Sequence, residues 1–207
     1  GGSRAKSGYV LLNVGRVSKE KNLHLLAQAF RALCATRRDV TLAVVGDGPY
    51  LPGMRRALEG LPCVFAGYLE GEALAIEYAS ADLFVFPSAT DTFGNVVLEA
   101  QASGLPTIVT DCGGPQENVR PGRTGLVVPA NDADKLREAM EGLLDDPDRL
   151  RTMGRAARAY TETRSFDRAF DRMWRMFTDD ASRDDRDGWE RLVAEANRPT
   201  EPTTAAD

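Results

Sequence analysis

Histidine is almost absent: His24 is the only one among 207 residues. A His-based metal centre has nothing to build on, and zinc chemistry is close to excluded. Cysteine is scarce too, with Cys34, Cys63 and Cys112 odd in number and far apart. That is no disulfide framework, and a reducing cytosol is the simplest compartment for it. No apolar run approaches the roughly 20 residues that cross a bilayer, and no signal-peptide apolar segment stands near the start. Positive charge is not in excess either, with 26 Lys and Arg against 31 Asp and Glu, a net of −5. Nucleic-acid binding by a basic face therefore gets no support. Gly1-Gly2-Ser3 lacks an initiator Met and reads as an expression scar, as on an excised piece of a longer protein.

What the sequence does have is ordinary globular material. Hydrophobic residues make up 43% and charged residues 28%, which argues against disorder along most of the length. A chain of this size buries a substantial core, as one large α/β domain or two small ones. Apolar runs at Tyr9–Val14, Val40–Val45, Val64–Ala66, Leu83–Phe86, Thr107–Val109 and Leu126–Val128 read as strands. Their near-continuous apolarity predicts a parallel sheet covered on both faces. Helical patterns separate them over Leu23–Cys34, Tyr50–Leu58, Glu70–Tyr78, Asn95–Ser103 and Ala133–Leu144. Strand alternating with helix predicts βαβ units in a doubly wound, Rossmann-like α/β domain of roughly six parallel strands. That domain is expected over residues 9–163, after a scar and linker at 1–8.

Arg151–Thr163 and Ser165–Phe177 read as consecutive helices, the second with Phe166, Phe170, Met173, Trp174 and Phe177 on a broad apolar side. From Thr178 to Asp207 stand nine acidic residues and four Arg, leaving the rest balanced at 22 of each sign. This acidic tail, with a short helical candidate at Trp189–Ala196, reads as a solvated and partly disordered segment.

Ligands of doubly wound sheets bind beyond the carboxyl ends of the strands, so the strand exits are the places to search. The first exit is Asn13-Val14-Gly15-Arg16, followed by Val17 to Asn22 and a helix. Gly15 lets the backbone approach an anion, while Arg16 and Lys21 offer a planar fork and a point charge suited to phosphate oxygens. The same residues would also serve as a solvated basic loop with Asn22 as helix cap, and the loop alone does not decide. It holds neither G-x-G-x-x-G nor a Walker loop, which disfavours a nicotinamide dehydrogenase. The second exit, Gly46-Asp47-Gly48-Pro49, suits any tight turn and lies where a pocket wall would be. Gly67-Tyr68 after the third strand could offer backbone or ring to a planar base.

The fourth exit is the informative one. Ala89 to Asn95 lead into the helix Val96-Val97-Leu98-Glu99-Ala100-Gln101-Ala102. Thr92, Phe93, Gly94 and Asn95 put a glycine-containing turn at a helix N-terminus, where free amides and the dipole favour an anion. Glu99 sits in a helix otherwise apolar or small, so a buried carboxylate needing a polar partner is expected there. Asp91 stands eight residues earlier, and the two carboxylates bracket the turn. A phosphate between two hydroxyl-bearing rings, a nucleotide sugar, would satisfy both. For the pair in isolation, a salt bridge from Arg to Glu99 and a plain turn role for Asp91 are the stronger account, and the helix pattern alone does not overturn them. Asp132-Ala133-Asp134 looks like a metal triplet but reads better as the cap of the next helix, and His24 reads as a surface residue.

Asp91 to Glu99, continued by Ala100-Gln101-Ala102-Ser103-Gly104-Leu105-Pro106, resembles the E-x7-E region of the group 1 family of retaining GT-B glycosyltransferases. The likeness extends to Val14-Gly15-Arg16 with Lys21, Val45-Gly46-Asp47-Gly48-Pro49, Gly67-Tyr68, Gly113-Gly114-Pro115-Gln116-Glu117 and Gly125-Leu126-Val127-Val128-Pro129, in order from about Tyr9 to Phe177. At the first acidic position this chain has Asp91, one methylene shorter than the usual Glu.

The resemblance implies the second, donor-binding domain of such an enzyme, without the N-terminal domain that carries the acceptor site. Arg16 and Lys21 would hold the donor diphosphate and Gly15 would permit its approach. Amides around Phe93, Gly94 and Asn95, with Thr92, would meet phosphate and sugar. Asp91 would bind the transferred sugar and Glu99 the ribose. Val96, Gly46, Gly48, Gly67 and Tyr68 would line the nucleoside site. The donor would carry UDP or GDP, with no metal or other cofactor needed, and the acceptor would be a glycan or lipid. The protein would be cytoplasmic, meeting the membrane only through the N-terminal domain. The helix at Ser165–Phe177 would normally return to that domain and is expected to fold instead onto its own domain or onto another copy of the chain. The alternatives are a nucleotide-sugar 2-epimerase of the same fold, which wants histidine groups missing here, and a noncatalytic nucleotide-binding or scaffolding module.

Overall fold

The computed structural model describes residues 8–162. The expected helices at Ser165–Phe177 and Trp189–Ala196, the acidic tail and any self-association through them lie outside the described residues. Six strands form one sheet: β1 (Tyr9–Val14), β2 (Val40–Val45), β3 (Cys63–Gly67), β4 (Leu83–Phe86), β5 (Thr107–Thr110) and β6 (Gly125–Val128). Their order is β3-β2-β1-β4-β5-β6 and every pairing is parallel.

Successive strand residues point to opposite faces, and both faces are apolar because both are covered. Leu11 on β1 and Leu83 and Val85 on β4 join one core cluster; Leu12, Phe84 and Phe86 join the other. The first cluster is completed by α1 (Leu23–Thr36), α2 (Leu51–Ala57) and α5 (Ala133–Leu144), through Phe30, Met54, Leu136 and Met140 among others. The second is completed by α3 (Gly71–Ser80) and α4 (Asn95–Ala102), through Tyr78, Val97 and Ala100. Full burial of each such Leu or Phe contributes about 1.5–3 kcal/mol.

A final helix, α6 (Pro147–Glu162), starts four residues before the expected Arg151. Asp146 accepts from the Arg149 amide at 2.9 Å, and Pro147 suits the first helical turn, where its missing N–H costs nothing. Asp132 caps α5 as expected, its carboxylate accepting from the Lys135 amide at 2.9 Å. His24 is exposed.

The strand order reverses direction between β1 and β4. The chain leaves β1 toward β2 on one side and leaves β4 toward β5 on the other, so the two exits part and leave a crevice. The buried Asn13 side chain donates to the Val85 carbonyl at 2.8 Å and ties the two strands beneath it.

Candidate functional site

Two clefts open at this crevice and share a floor of Val14, Gly15, Arg16 and Val96. The first, about 340 Å³, is completed by Asn13, Lys21, Asp91, Thr92, Phe93, Gly94 and Asn95 with Leu23 and Phe86. The second, about 520 Å³, runs on past Gly46 and Asp47 to Tyr68, Glu70, Leu74 and Glu99.

Backbone geometry brings the exits together. Gly15 has φ +142° and Gly46 φ +129°, and a Cβ on Gly46 would stand 1.9 Å from the Gly15 carbonyl oxygen. Only glycine allows that approach. Gly94, at φ +77°, is the N-cap of α4, and no side chain caps this end. Beyond the Val97 amide, which donates to the Gly94 carbonyl, the amides of Gly94, Asn95 and Val96 have no hydrogen-bond partner among the described residues. Unfilled amides and the helix dipole make this end attractive to an anion.

Arg16 is exposed at the same floor and makes no hydrogen bond or ion pair among the described residues. Lys21 points its ammonium at Asp91, Nζ to Oδ1 2.8 Å, across 70 residues of sequence. The other carboxylate oxygen of Asp91 is buried and has no partner among the described residues. The two groups expected to hold phosphate and sugar separately are thus joined.

Glu99 corrects the sequence reading. It is exposed rather than buried, because α4 turns Val97, Ala100 and Gln101 into the core and leaves Glu99 along the cleft. Its partner is not an Arg but Tyr78 on α3, whose hydroxyl donates to Oε2 at 2.9 Å. Burial, then the neighbouring Glu99 carboxylate, pushes the Tyr78 hydroxyl well above its ordinary range. Asn22 does occupy the N-cap of α1, but in a left-handed conformation without a side-chain cap; its amide reaches Asn131 instead.

Gly48 and Gly67, expected in the donor site, line neither cleft. A Cβ on Gly48 would meet the Val17 carbonyl oxygen at 2.4 Å, so this glycine allows the turns after β1 and β2 to pack. Gly67 spends its carbonyl on the Gly46 amide at 2.7 Å.

The segment Gly113–Asn118, whose first five residues carry part of the family resemblance, braces the anion-facing turn. The Gly114 amide donates to the Asp91 carbonyl at 2.9 Å, and buried Asn118 donates from its side chain to the Phe93 carbonyl at 2.5 Å. Gln101 on α4, fully buried, donates to the Asn118 carbonyl at 2.8 Å. Tyr78, Asn118 and Gln101 escape sequence reasoning because their partners lie 17 to 25 residues away, on elements that only packing makes adjacent. Among the described residues no three His, Cys, Asp or Glu side chains converge as metal ligands.

The family model "Glycosyl transferases group 1" matches residues 8–146. The chain belongs to the group 1 glycosyltransferases. Over 156 residues it is 37% identical to the sulfoquinovosyl transferase of Arabidopsis thaliana, covering 74% of this chain and 30% of that protein. It is 39% identical over 156 residues to a Corynebacterium glutamicum GDP-mannose-dependent mannosyltransferase acting on a monoacylated phosphatidylinositol monomannoside, covering 71% of this chain and 41% of that protein. A crystal structure of Anabaena HepE in complex with UDP superposes with TM-score 0.73 at 22% identity, over 84% of this chain and 49% of that one. The chain thus spans less than half the length of these curated relatives, and the structural likeness establishes a shared fold, a GT-B type of Rossmann-like domain. No helix among the described residues is long and apolar enough to cross a membrane.

Proposed function

We propose that this chain is the donor-binding half of a retaining glycosyltransferase. It takes a hexose from a UDP- or GDP-linked sugar and passes it to a glycan or lipid acceptor, in the cytoplasm, together with an N-terminal domain and without a divalent metal. The observation that carries this reading is the convergence, on one cleft at the switch point, of unpartnered Arg16, Lys21 and the free amides of Gly94, Asn95 and Val96. Such a set matches a diphosphate. The continuous second cleft ends in Glu99 on one side and Tyr68 on the other, which fits a ribose and base beyond it. Relatives named for GDP-mannose dependence and a neighbour crystallised with UDP support a nucleotide-linked donor.

In the transfer, the bond from the anomeric carbon to the diphosphate oxygen breaks and negative charge grows on that oxygen. The acceptor hydroxyl oxygen bonds to the same carbon and its proton passes to the departing phosphate oxygen. Arg16 and the α4 amides would face the oxygen on which that charge develops and stabilise it electrostatically. An ammonium has three N–H donors, so Lys21 holds Asp91 with one and reaches a phosphate oxygen with another. The unpartnered oxygen of Asp91 is left for a sugar hydroxyl. Calorimetric titration with UDP, GDP and ADP in EDTA tests the reading. At least one nucleotide binds with metal chelated, and Arg16→Ala weakens it by about tenfold or more, as loss of a charged hydrogen-bond donor should. Absence of binding by every nucleotide, in folded protein, would sink it.

A further inference from the structure

The base-proximal end of the second cleft carries a chemical asymmetry that bears on which nucleotide is bound. Among the described residues Arg16 is the sole cation lining this cleft, and it belongs to the floor shared with the phosphate side. Beyond that floor the charged groups among the described residues are carboxylates. Asp47 is engaged locally, its Oδ1 accepting from the Gly48 amide at 2.6 Å. Glu70 is not spent on its own helix: it stands at the N-cap of α3 but makes no side-chain cap there. Its Oε2 accepts instead from the Tyr68 hydroxyl at 3.0 Å, and that bond raises the Tyr68 hydroxyl above its ordinary range. Tyr68 itself is 73% exposed, an aromatic face held open at the rim with a carboxylate fixed to its hydroxyl end.

We infer that Glu70, oriented by Tyr68, reads the nucleobase and selects guanine. This rests on the donor-site reading above and names the base of that same site. A carboxylate only accepts hydrogen bonds and has about four lone-pair sites, so one bond from Tyr68 leaves room for two more. Guanine places N1–H and an N2 amino group side by side on its pairing edge, two donors that a carboxylate receives in parallel, with charge assistance. Uracil flanks its one N–H with two carbonyls, which would face the carboxylate directly. Adenine sets its amino group beside an unprotonated ring nitrogen, so it provides one donor and one repulsion. The exposed Tyr68 ring supplies a stacking face that does not distinguish bases, leaving discrimination to the carboxylate.

The test is a set of titrations of the 207-residue chain with GDP, IDP, ADP and UDP, repeated on Glu70→Gln and Glu72→Gln, with melting temperature as a check of folding. IDP is guanine's nucleotide without the N2 amino group, so it isolates one hydrogen bond in the unaltered protein. GDP should bind tightest, and IDP about tenfold more weakly. Glu70→Gln should lower GDP affinity by about tenfold while moving UDP by less than about twofold, since an amide restores one acceptor but faces the second donor with its own N–H. Glu72→Gln, on α3 but lining neither cleft, should leave the ranking intact. Preference for UDP or ADP in the unaltered chain overturns the inference and leaves the donor-site reading standing. So does equal binding of GDP and IDP, or an equal loss of all nucleotides on Glu70→Gln. Failure of every nucleotide to bind overturns both.

Discussion

Gly114→Ala perturbs the turn that faces the anion without touching a side chain in the cleft. A Cβ built on Gly114 falls 1.8 Å from the Thr92 carbonyl oxygen, 2.5 Å from its carbon and 3.0 Å from the Phe93 nitrogen. A carbon meets a carbonyl oxygen comfortably at about 3.3 Å, so the Thr92 peptide must retreat by roughly 1.5 Å. That peptide leads directly into Gly94 and the free amides of α4, and its retreat also strains the bonds from Gly114 to Asp91 and from Asn118 to Phe93. Overpacking of this kind costs about 1–3 kcal/mol of stability. A displacement of this size in the amides that meet a diphosphate should cost nucleotide affinity about tenfold or more as well. Loss of stability alone could lower apparent affinity, so Gly154→Ala is the matched control. Its added methyl would stand 2.3 Å from the Gly104 carbonyl oxygen, a smaller but still severe clash at the other end of α4 and away from the cleft. Denaturant melts should show both variants destabilised, while calorimetry with GDP and UDP should show only Gly114→Ala impaired in binding. Normal affinity in Gly114→Ala, or equal impairment in both variants, would refute the claim that the 113–118 segment sets the geometry of the anion turn.

Gly142 lies within α5 with nothing within 4 Å of an added Cβ, so Gly142→Ala should raise stability by about 0.5–1 kcal/mol through helix propensity, read as a higher denaturation midpoint with unchanged nucleotide affinity. Burial pushes the Cys63 thiol up to about 12 and raises Tyr78 as well. The unfolded chain therefore loses these protons first, and stability should be full below pH about 9 and fall as pH rises toward 12. Cys63→Val should flatten part of that alkaline decline in denaturant melts taken across pH, and an unchanged slope would count against the thiol's share.

The sheet was legible in the sequence because burial on two faces leaves a direct mark. The runs at Tyr9–Val14, Val40–Val45 and Leu83–Phe86 are strands with those same bounds, since a strand covered on both sides must be apolar at every position. The three others differ by a residue at one or both ends, where Cys63, Gly67, Thr110 and Gly125 continue the ladder without looking like strand interior. Glycines at exits and the Thr92–Asn95 turn were legible for a local reason: backbone conformation and helix ends are set by neighbours in sequence.

Lateral strand order, and every pairing it creates, belongs to the tertiary structure. Hydrophobicity is non-directional and says that α4 buries a face, not that Glu99 lies outside it or that Tyr78 meets it. Lys21 and Asp91 are 70 residues apart and become an ion pair because β1 and β4 are neighbours in the sheet. Asn118 can hold the Phe93 carbonyl because β5 lies next to β4 and returns the chain beside the same turn. The sequence by itself determined the kind of layers and the chemistry of the candidate groups. Which of those groups touch, and which glycines serve packing rather than a ligand, followed from close packing and parallel strand order alone.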